Sequence, residues 1–351
     1  MAKVLIVDDS LLIRKYLKGI LEKAGFETEL AQNGQECLEK IPTFNPDVIT
    51  LDVNMPVMDG ITCLKQIMSK FPKPVLMVSS LTYKGASSTF KALELGAVDY
   101  ISKPQSAVSQ NNPSEAELLV RKVVSASKSH ISLNAHLRQT NKSKIKNQPP
   151  LFVKRTFQTD ASQIEAIVIG VSTGGPSCLQ VILENIPATF PVPIVIAQHM
   201  PARFTEVFSQ RLDKLCELNV LEVTSLTELK SGHVYLAKGD ADIEFLRKNN
   251  RLMVRSLPSD KNYLWHPSVS KLVDTAVSQI NPKKLICVQL TGMGNDGANA
   301  MHNAHQLGSY CIAESEETAV VYGMPKELVT LGSADAVLPN YKIANAIMEK
   351  I

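Results

Sequence analysis

Three features of this sequence predict two α/β domains in tandem, each a mainly parallel, doubly wound sheet wrapped by helices. The chain has 351 residues, more than the roughly 250–300 at which one hydrophobic core stops growing. From residue 3 short apolar runs alternate with stretches of helical periodicity, and the alternation starts afresh after residue 160, the pattern of sheets built from βαβ units. Between the two series, residues 134–160 lose all periodicity, gather Asn, Gln, Lys and Ser and carry Pro149-Pro150, as a solvated linker does.

In the first series Val4-Leu5-Ile6-Val7, Val48-Ile49-Thr50-Leu51, Val75-Leu76-Met77-Val78 and Val98-Asp99-Tyr100-Ile101 read as strands, with Thr28–Ala31 a weaker one. Ser10 can cap a helix whose apolar stripe is Ile13, Leu17, Ile20, Leu21 and Ala24, and Gly25 can end it. A helix over Ser114–Ser127 closes this domain, residues 1–128, and a basic flexible linker fills 129–160. In the second domain, residues 161–351, Ala166-Ile167-Val168-Ile169, Pro193-Ile194-Val195-Ile196-Ala197 and Leu285-Ile286-Cys287-Val288-Gln289-Leu290 read as buried strands. Phe204–Leu215, Val269–Ile280 and Ala298–Leu307 read as helices, and residues 220–255 as a run of shorter strands turning at Ser231-Gly232 and Asn249-Asn250.

With 44% hydrophobic and 20% charged residues, 17 Gly and 19 Pro, the composition is that of globular protein and not of fibrous or disordered chain. The net charge of +3 is unevenly placed. Residues 105–160 hold nine Lys or Arg against three acids, a balance of +6 that leaves −3 for the rest. Neither domain therefore reads as a polyanion binder, and no nucleic-acid partner is expected. The six cysteines form no CxxC pair and several sit in apolar runs, as reduced, buried thiols do. The N-terminal apolar run is too short for a signal peptide, and no run approaches the roughly 18 apolar residues of a membrane span. A cytoplasmic protein without direct membrane insertion is the expectation.

Three carboxylates stand at strand ends of the first domain: Asp8 and Asp9 after the first strand and Asp52 after the third. In a parallel open sheet those ends share one edge, where ligands bind. Crowded carboxylates repel, and a hard divalent cation such as Mg²⁺ relieves that repulsion. Singly, such acids also serve to solubilise loops. Ser79 after the fourth strand and Lys103-Pro104 after the fifth add a hydroxyl and a cation to the same edge.

In the second domain Gly170-Val171-Ser172-Thr173-Gly174-Gly175-Pro176 links a strand to a helix over Pro176–Ile186, with Pro176 suited to its first position. This G-x-S-x-G places a hydroxyl on a tight turn beside the amides of a helix start, which can stabilise an oxyanion. A serine of ordinary pKa needs a base, and His199, in Gln198-His199-Met200-Pro201, directly follows a buried strand. His302 and His305 sit at i, i+3 on a helix and are expected at the surface. Asp296, in Leu290-Thr291-Gly292-Met293-Gly294-Asn295-Asp296-Gly297, lies beyond another strand and can orient the imidazole.

Val7-Asp8-Asp9-Ser10, Leu51-Asp52-Val53-Asn54-Met55-Pro56 with Asp59-Gly60, Ser79-Ser80 and Tyr100-Ile101-Ser102-Lys103-Pro104 resemble response-regulator receiver domains. That resemblance implies a flavodoxin-like (βα)5 fold and a phosphoryl group accepted at Asp52 from a histidine kinase of the chemotaxis type. It also implies Mg²⁺ held by Asp9, Asp52 and the carbonyl of Asn54 with Asp8 assisting, phosphoryl sensing by Ser79 and Lys103, and a switch reported by Tyr100. The added charge of about −1.5 to −2 is one that a hydroxyl and an ammonium follow. Tyr100 reads equally well as a packing aromatic.

The order Ser, His, Asp differs from the Ser, Asp, His of α/β-hydrolases. Together with Phe204-Thr205, Gln210-Arg211-Leu212 and Val320-Val321-Tyr322-Gly323-Met324-Pro325, the second domain resembles the chemotaxis protein-glutamate methylesterases of the CheB family, which also place a receiver and a linker in front. The resemblance implies Ser172 as nucleophile, His199 as general acid/base, Asp296 as the group fixing its tautomer, and backbone amides of Thr173 and Met293 at the oxyanion. It further implies methyl-accepting chemotaxis receptors as substrate, methanol as product, glutamine deamidation as a second activity, no cofactor for the esterase domain, and a cleft obstructed by the unphosphorylated receiver.

Where that family commonly reads Ala-Pro-Gly this chain has Ala237-Lys238-Gly239. Where it reads Arg-Pro-Ser-Val-Asp the chain has His266-Pro267-Ser268-Val269-Ser270, and Arg203 replaces a usual Gly. Two other readings remain. One is a receiver-regulated binding module without catalysis. The other is a dinucleotide-binding oxidoreductase, since Gly292–Gly297 also spells G-x-G-x-x-G, with Glu314 ending the next strand.

Overall fold

The computed structural model describes residues 2–80, 82–103, 113–129 and 164–351. Pro104, His130, His136 and, past residue 129, the expected linker lie outside the described residues. Two compact units divide the chain, Met1–Lys146 and Asn147–Ile351.

The first unit is a parallel sheet of β1 (Lys3–Val7), β2 (Glu27–Ala31), β3 (Val48–Asp52), β4 (Val75–Ser79) and β5 (Asp99–Ser102), in the order β2-β1-β3-β4-β5. Helices α1 (Leu11–Lys23), α2 (Gly34–Phe44), α3 (Gly60–Lys70), α4 (Tyr83–Glu94) and α5 (Pro113–Ser127) connect and cover it. β3 and β4 are buried at every residue, which is why they read as unbroken apolar runs. Ser10 caps α1 by accepting from the Ile13 amide, and Gly25, at φ +87, turns the chain out of it. Because β1 sits between β2 and β3, the winding reverses there and opens a crevice at the C-terminal ends of β1 and β3.

The second unit begins with β6 (Ala166–Val171), α6 (Gly175–Leu183), β7 (Ile194–Gln198) and α7 (Ala202–Leu215). β8 (Asn219–Val223), β9 (Thr227–Glu228), β10 (His233–Ala237), β11 (Ala241–Lys248) and β12 (Arg251–Pro258) follow. After them come α8 (Val269–Gln279), β13 (Leu285–Gln289), α9 (Ala298–Gln306), β14 (Tyr310–Glu314), α10 (Met324–Thr330), β15 (Ala336–Leu338) and α11 (Asn340–Met348). Seven strands form one parallel sheet in the order β15-β14-β13-β6-β7-β10-β8, and β11-β12-β9 form a separate antiparallel sheet.

Several expectations need correction here. Residues 220–255 do hold a run of strands with a turn at Ser231-Gly232, but β8 and β10 extend the parallel sheet while β11 and β12, eight residues each, are longer and pair as a hairpin. The Asn249-Asn250 turn does hold, with φ of 50 and 62, the left-handed pair that a two-residue hairpin demands. α6 starts at Gly175 and stops at Leu183, so Pro176 is its second residue. His302 and His305 do not face solvent freely. His302 Nδ1 lies 2.6 Å from Ser333 Oγ, and His305, 9% exposed, lies 3.3 Å from Asp335. Polar partners in the segment before β15 let that face of α9 pack inward.

Val269, Leu272, Val273 and Ala276 of α8 join one core with Val168 of β6 and Cys287 of β13. That packing fixes the N-terminal end of α8 against the sheet edge. All six cysteines are free thiols, and among the described residues no helix is long and apolar enough to cross a membrane.

Candidate active and phosphoacceptor sites

In the first unit Asp8, Asp9 and Asp52 offer carboxylate oxygens within 4.8 Å of one another, at the crevice beside β1 and β3. Asp8 and Asp52 are 0% and 2% exposed, while Asp9 faces solvent. Lys103 Nζ bridges the two buried acids, at 2.8 Å from Asp8 Oδ2 and 2.8 Å from Asp52 Oδ2. Burial pushes the Asp52 carboxyl up, Lys103 pulls it back, the Asp8 charge pushes again, and the balance stands at about 6. Burial disfavours the Lys103 ammonium, but its bonds to Asp52 and Asp8 outweigh that and raise it.

Ser79 is buried and its hydroxyl has no hydrogen-bond partner among the described residues, while its carbonyl accepts from the Lys103 amide at 2.7 Å. Asn54 lies exposed two residues past β3. Tyr100 is 3% exposed, with Lys122 Nζ over its ring at 4.9 Å and bonded to both Asp99 Oδ2 and the Tyr100 carbonyl. The hard oxygen donors and their mutual repulsion fit Mg²⁺. Asp52 thus stands at this edge with the Lys103 ammonium bonded to it and Ser79 at the end of the neighbouring strand.

In the second unit Ser172, His199 and Asp296 follow β6, β7 and β13, which are neighbours in the sheet. Val171 pairs with Gln198, so Ser172 and His199 leave adjacent strands at matching register. The Ser172 amide donates to the Thr291 carbonyl at 2.9 Å, which ties the serine to the strand end that leads to Asp296. Gly174, at φ +80, lets the chain turn into α6. A Cβ on Gly175 would meet Gln198 Oε1 at 2.0 Å, and one on Gly292 would meet the Ser172 Cβ at 2.7 Å. A Cβ at either position would have to displace these side chains.

His199 Nε2 lies 2.8 Å from Asp296 Oδ2, and its Nδ1 is buried with no hydrogen-bond partner among the described residues. With Nε2 carrying the proton toward the carboxylate, Nδ1 presents a lone pair. Thr173 is buried, its carbonyl accepting from Thr291 Oγ1 at 2.8 Å, and Met293 lies half-buried in the loop after β13. All five residues thus gather at one edge.

Sequence reasoning missed what holds Asp296. Its carboxylate rests on the start of α8, accepting from the Val269 amide at 2.8 Å, the Ser270 amide at 3.0 Å and Ser270 Oγ at 2.6 Å. A helix N-terminus suits an anion. Burial pushes this carboxyl up, but the bond and charge of His199 with the donors of Ser270 and Val269 outweigh it and hold it at about 2. The signal was present in Ser268-Val269-Ser270 as a helix cap, but nothing in the sequence says what the cap would hold.

Also missed were Gln198, whose Nε2 donates to the Ser172 carbonyl at 2.9 Å and the His199 carbonyl at 3.2 Å, and Trp265, stacked on His199 at 5.4 Å between centroids and 13° between planes. Glu314 is fully buried. It accepts from the Thr291 amide and Thr318 Oγ1 at 2.8 Å each and from Cys178 Sγ at 3.3 Å. A carboxylate so engaged has no oxygen to offer a ribose, and the dinucleotide reading loses its acidic partner.

The fold and the two edges define a receiver unit joined in one chain to an α/β unit that gathers a serine, a histidine and an aspartate at one strand edge. The family models agree with that division: "Response regulator receiver domain" matches residues 4–109 and "CheB methylesterase" residues 167–347. The chain belongs to the CheB methylesterase family, a family of hydrolases, and carries a response-regulator receiver.

Among its relatives is a protein-glutamate methylesterase/protein-glutamine glutaminase of Rhodospirillum rubrum, 46% identical over 99% of this chain and 95% of that one. Another of the same name, from Archaeoglobus fulgidus, is 41% identical over 99% and 97%. The crystal structure of the Thermotoga maritima CheB methylesterase catalytic domain matches at a TM-score of 0.52 and 42% identity, covering 53% of this chain and 98% of that one.

Proposed function

We propose that this protein is a phosphorylation-regulated, cytoplasmic protein-glutamate methylesterase. Its substrates are γ-glutamyl methyl esters on methyl-accepting chemotaxis receptors, and it also deamidates receptor glutamines. What carries the reading is the His199–Asp296 pair, 2.8 Å apart, beside a serine set on a glycine turn at the same strand edge.

Ser172 Oγ attacks the ester carbonyl carbon while His199 Nδ1 takes its proton, and Asp296 steadies the imidazolium through Nε2. The Thr173 and Met293 amides face the developing oxyanion. When the tetrahedral species collapses, the C–O bond to the methoxy group breaks and Nδ1 returns its proton to release methanol. Water then attacks the acyl-serine, gives its proton to Nδ1, and leaves glutamate with Ser172 Oγ reprotonated. With a glutamine substrate the departing group is ammonia.

In the receiver, Asp52 attacks a phosphohistidine of a chemotaxis-type histidine kinase. Asp8, Asp9, Asp52 and the Asn54 carbonyl would hold Mg²⁺, which when bound offsets charge on the phosphoryl oxygens. Lys103 and the Ser79 hydroxyl then follow the new charge, and Tyr100 responds. A tethered receiver stands at high local concentration near the catalytic unit, which suits inhibition released by phosphorylation.

Methanol release from methylated receptor membranes, with and without a phosphodonor, tests both halves. Wild type should release methanol, Ser172→Ala should not, and Asp52→Ala should lose the response to phosphodonor. Release that survives Ser172→Ala unchanged refutes the esterase mechanism. Deleting residues 1–145 should raise basal release, and a truncated enzyme no faster than the unphosphorylated full chain refutes inhibition by the receiver.

A further inference from the structure

The segment between β12 and α8 is pinned at both ends by one fully buried carboxylate. Asp242 accepts from the Asp260 amide at 2.9 Å, from the Ser268 amide at 3.0 Å, and bonds His266 Nδ1 at 2.9 Å. Between those ties the chain carries Leu264, 69% exposed, and Trp265, the single tryptophan, half-buried with its ring on His199. The indole Nε1 stands 3.9 Å from where a Cβ on Gly294 would lie, so Trp265 also borders the loop that supplies Asp296. A bond at Nε2 alone leaves an imidazole free to rock about the Nε2–Oδ2 line. A ring packed on its face removes that freedom.

We propose that Trp265 is a positioning residue for His199: its indole face fixes the imidazole plane that aims Nδ1, and it favours the imidazolium formed when Ser172 gives up its proton. The proposal rests on the acid/base role assigned to His199 above. Stacked aromatics and a cation over an indole face are both attractive. The charged group bonded to the imidazole is Asp296, at Nε2, and Asp274 on α8 in turn feels the Asp296 charge. His266, next to Trp265, is engaged with Asp242.

The test uses the full chain, with methanol release measured against pH for wild type, Trp265→Ala and Trp265→Phe. Trp265→Ala should lower kcat roughly tenfold, as a misaimed base does, with KM within about twofold. The acid limb of its kcat/KM profile should move to lower pH, because the imidazolium has lost its π partner. Trp265→Phe, which keeps an aromatic face, should recover most of kcat.

The single tryptophan supplies an independent readout. Its emission in wild type should be quenched on acidification, and that titration should vanish in His199→Gln. A Trp265→Ala enzyme that changes KM alone, with kcat and the acid limb intact, overturns the proposal, and so does emission that titrates identically in His199→Gln. If wild type releases no methanol from any receptor, the esterase reading has failed, and the emission titration still decides whether indole and imidazole are in contact.

Discussion

Asp52→Asn should stabilise the receiver, and only above acid pH. Burial and the neighbouring Asp8 charge hold the folded carboxyl at about 6, against an ordinary value of 3.8. At about 1.36 kcal/mol per pH unit that gap makes the ionised carboxylate cost about 3 kcal/mol. The folded group is the better proton binder, so stability falls as pH rises from the unfolded value toward the folded one and is level above it. Below about pH 4 the carboxyl is protonated in both states and the substitution gains nothing.

Asparagine gives up the ionised oxygen that meets Lys103 at 2.8 Å, although Lys103 keeps Asp8. The net gain at pH 7.5 is therefore set at about 1–2 kcal/mol, roughly 4–8 °C in the receiver transition. Calorimetry of the full chain in chelator reads it. The single tryptophan lies in the other unit, so the transition that its fluorescence follows should stay in place. A gain of equal size at pH 3.5 and 7.5, or none at 7.5, would show that burial and the Asp8 charge do not hold this carboxyl up.

Lys103→Met leaves two buried carboxylates without their cation and should cost the receiver roughly 3–5 kcal/mol by chemical denaturation, with millimolar Mg²⁺ restoring part of it. No restoration by Mg²⁺ would count against a cation site at these acids. Ser270→Ala removes a 2.6 Å donor from Asp296 and the acceptor of the Gly297 amide. It should lower kcat by about tenfold, with Ser270→Thr restoring it; an unchanged kcat would mean the backbone donors suffice. Gly175→Ala drives a methyl into Gln198 Oε1 and should reduce methanol release by roughly 100-fold while leaving receiver phosphorylation intact. Undiminished release would show that the nucleophile turn yields.

The parallel strands and the helices between them were legible because buried strands are unbroken apolar runs and amphipathic helices repeat every three to four residues. For the same reason Ser172, His199, Asp296, Asp8, Asp9 and Asp52 could be placed: each follows such a run, and topology delivers strand ends to one edge. The hairpin of β11 and β12 blurred into short strands because its alternation shares a stretch with β8 and β10, which belong to another sheet. Ser270, Trp265 and Asp242 were illegible for a different reason. Their roles arise where a loop without periodicity is drawn against a strand end by one buried carboxylate, and no local pattern encodes which carboxylate that is. The inward packing of His302 and His305 likewise depends on Ser333 and Asp335, about 30 residues away.

His199 and Asp296 are 97 residues apart in the chain and meet only when β6, β7 and β13 have paired. During synthesis, at about 5–20 residues per second with N-terminal domains folding first, the receiver is complete well before Asp296 leaves the ribosome. The receiver therefore folds before the residues of the second site can meet, and a prematurely terminated chain lacking β13 never brings Asp296 to His199.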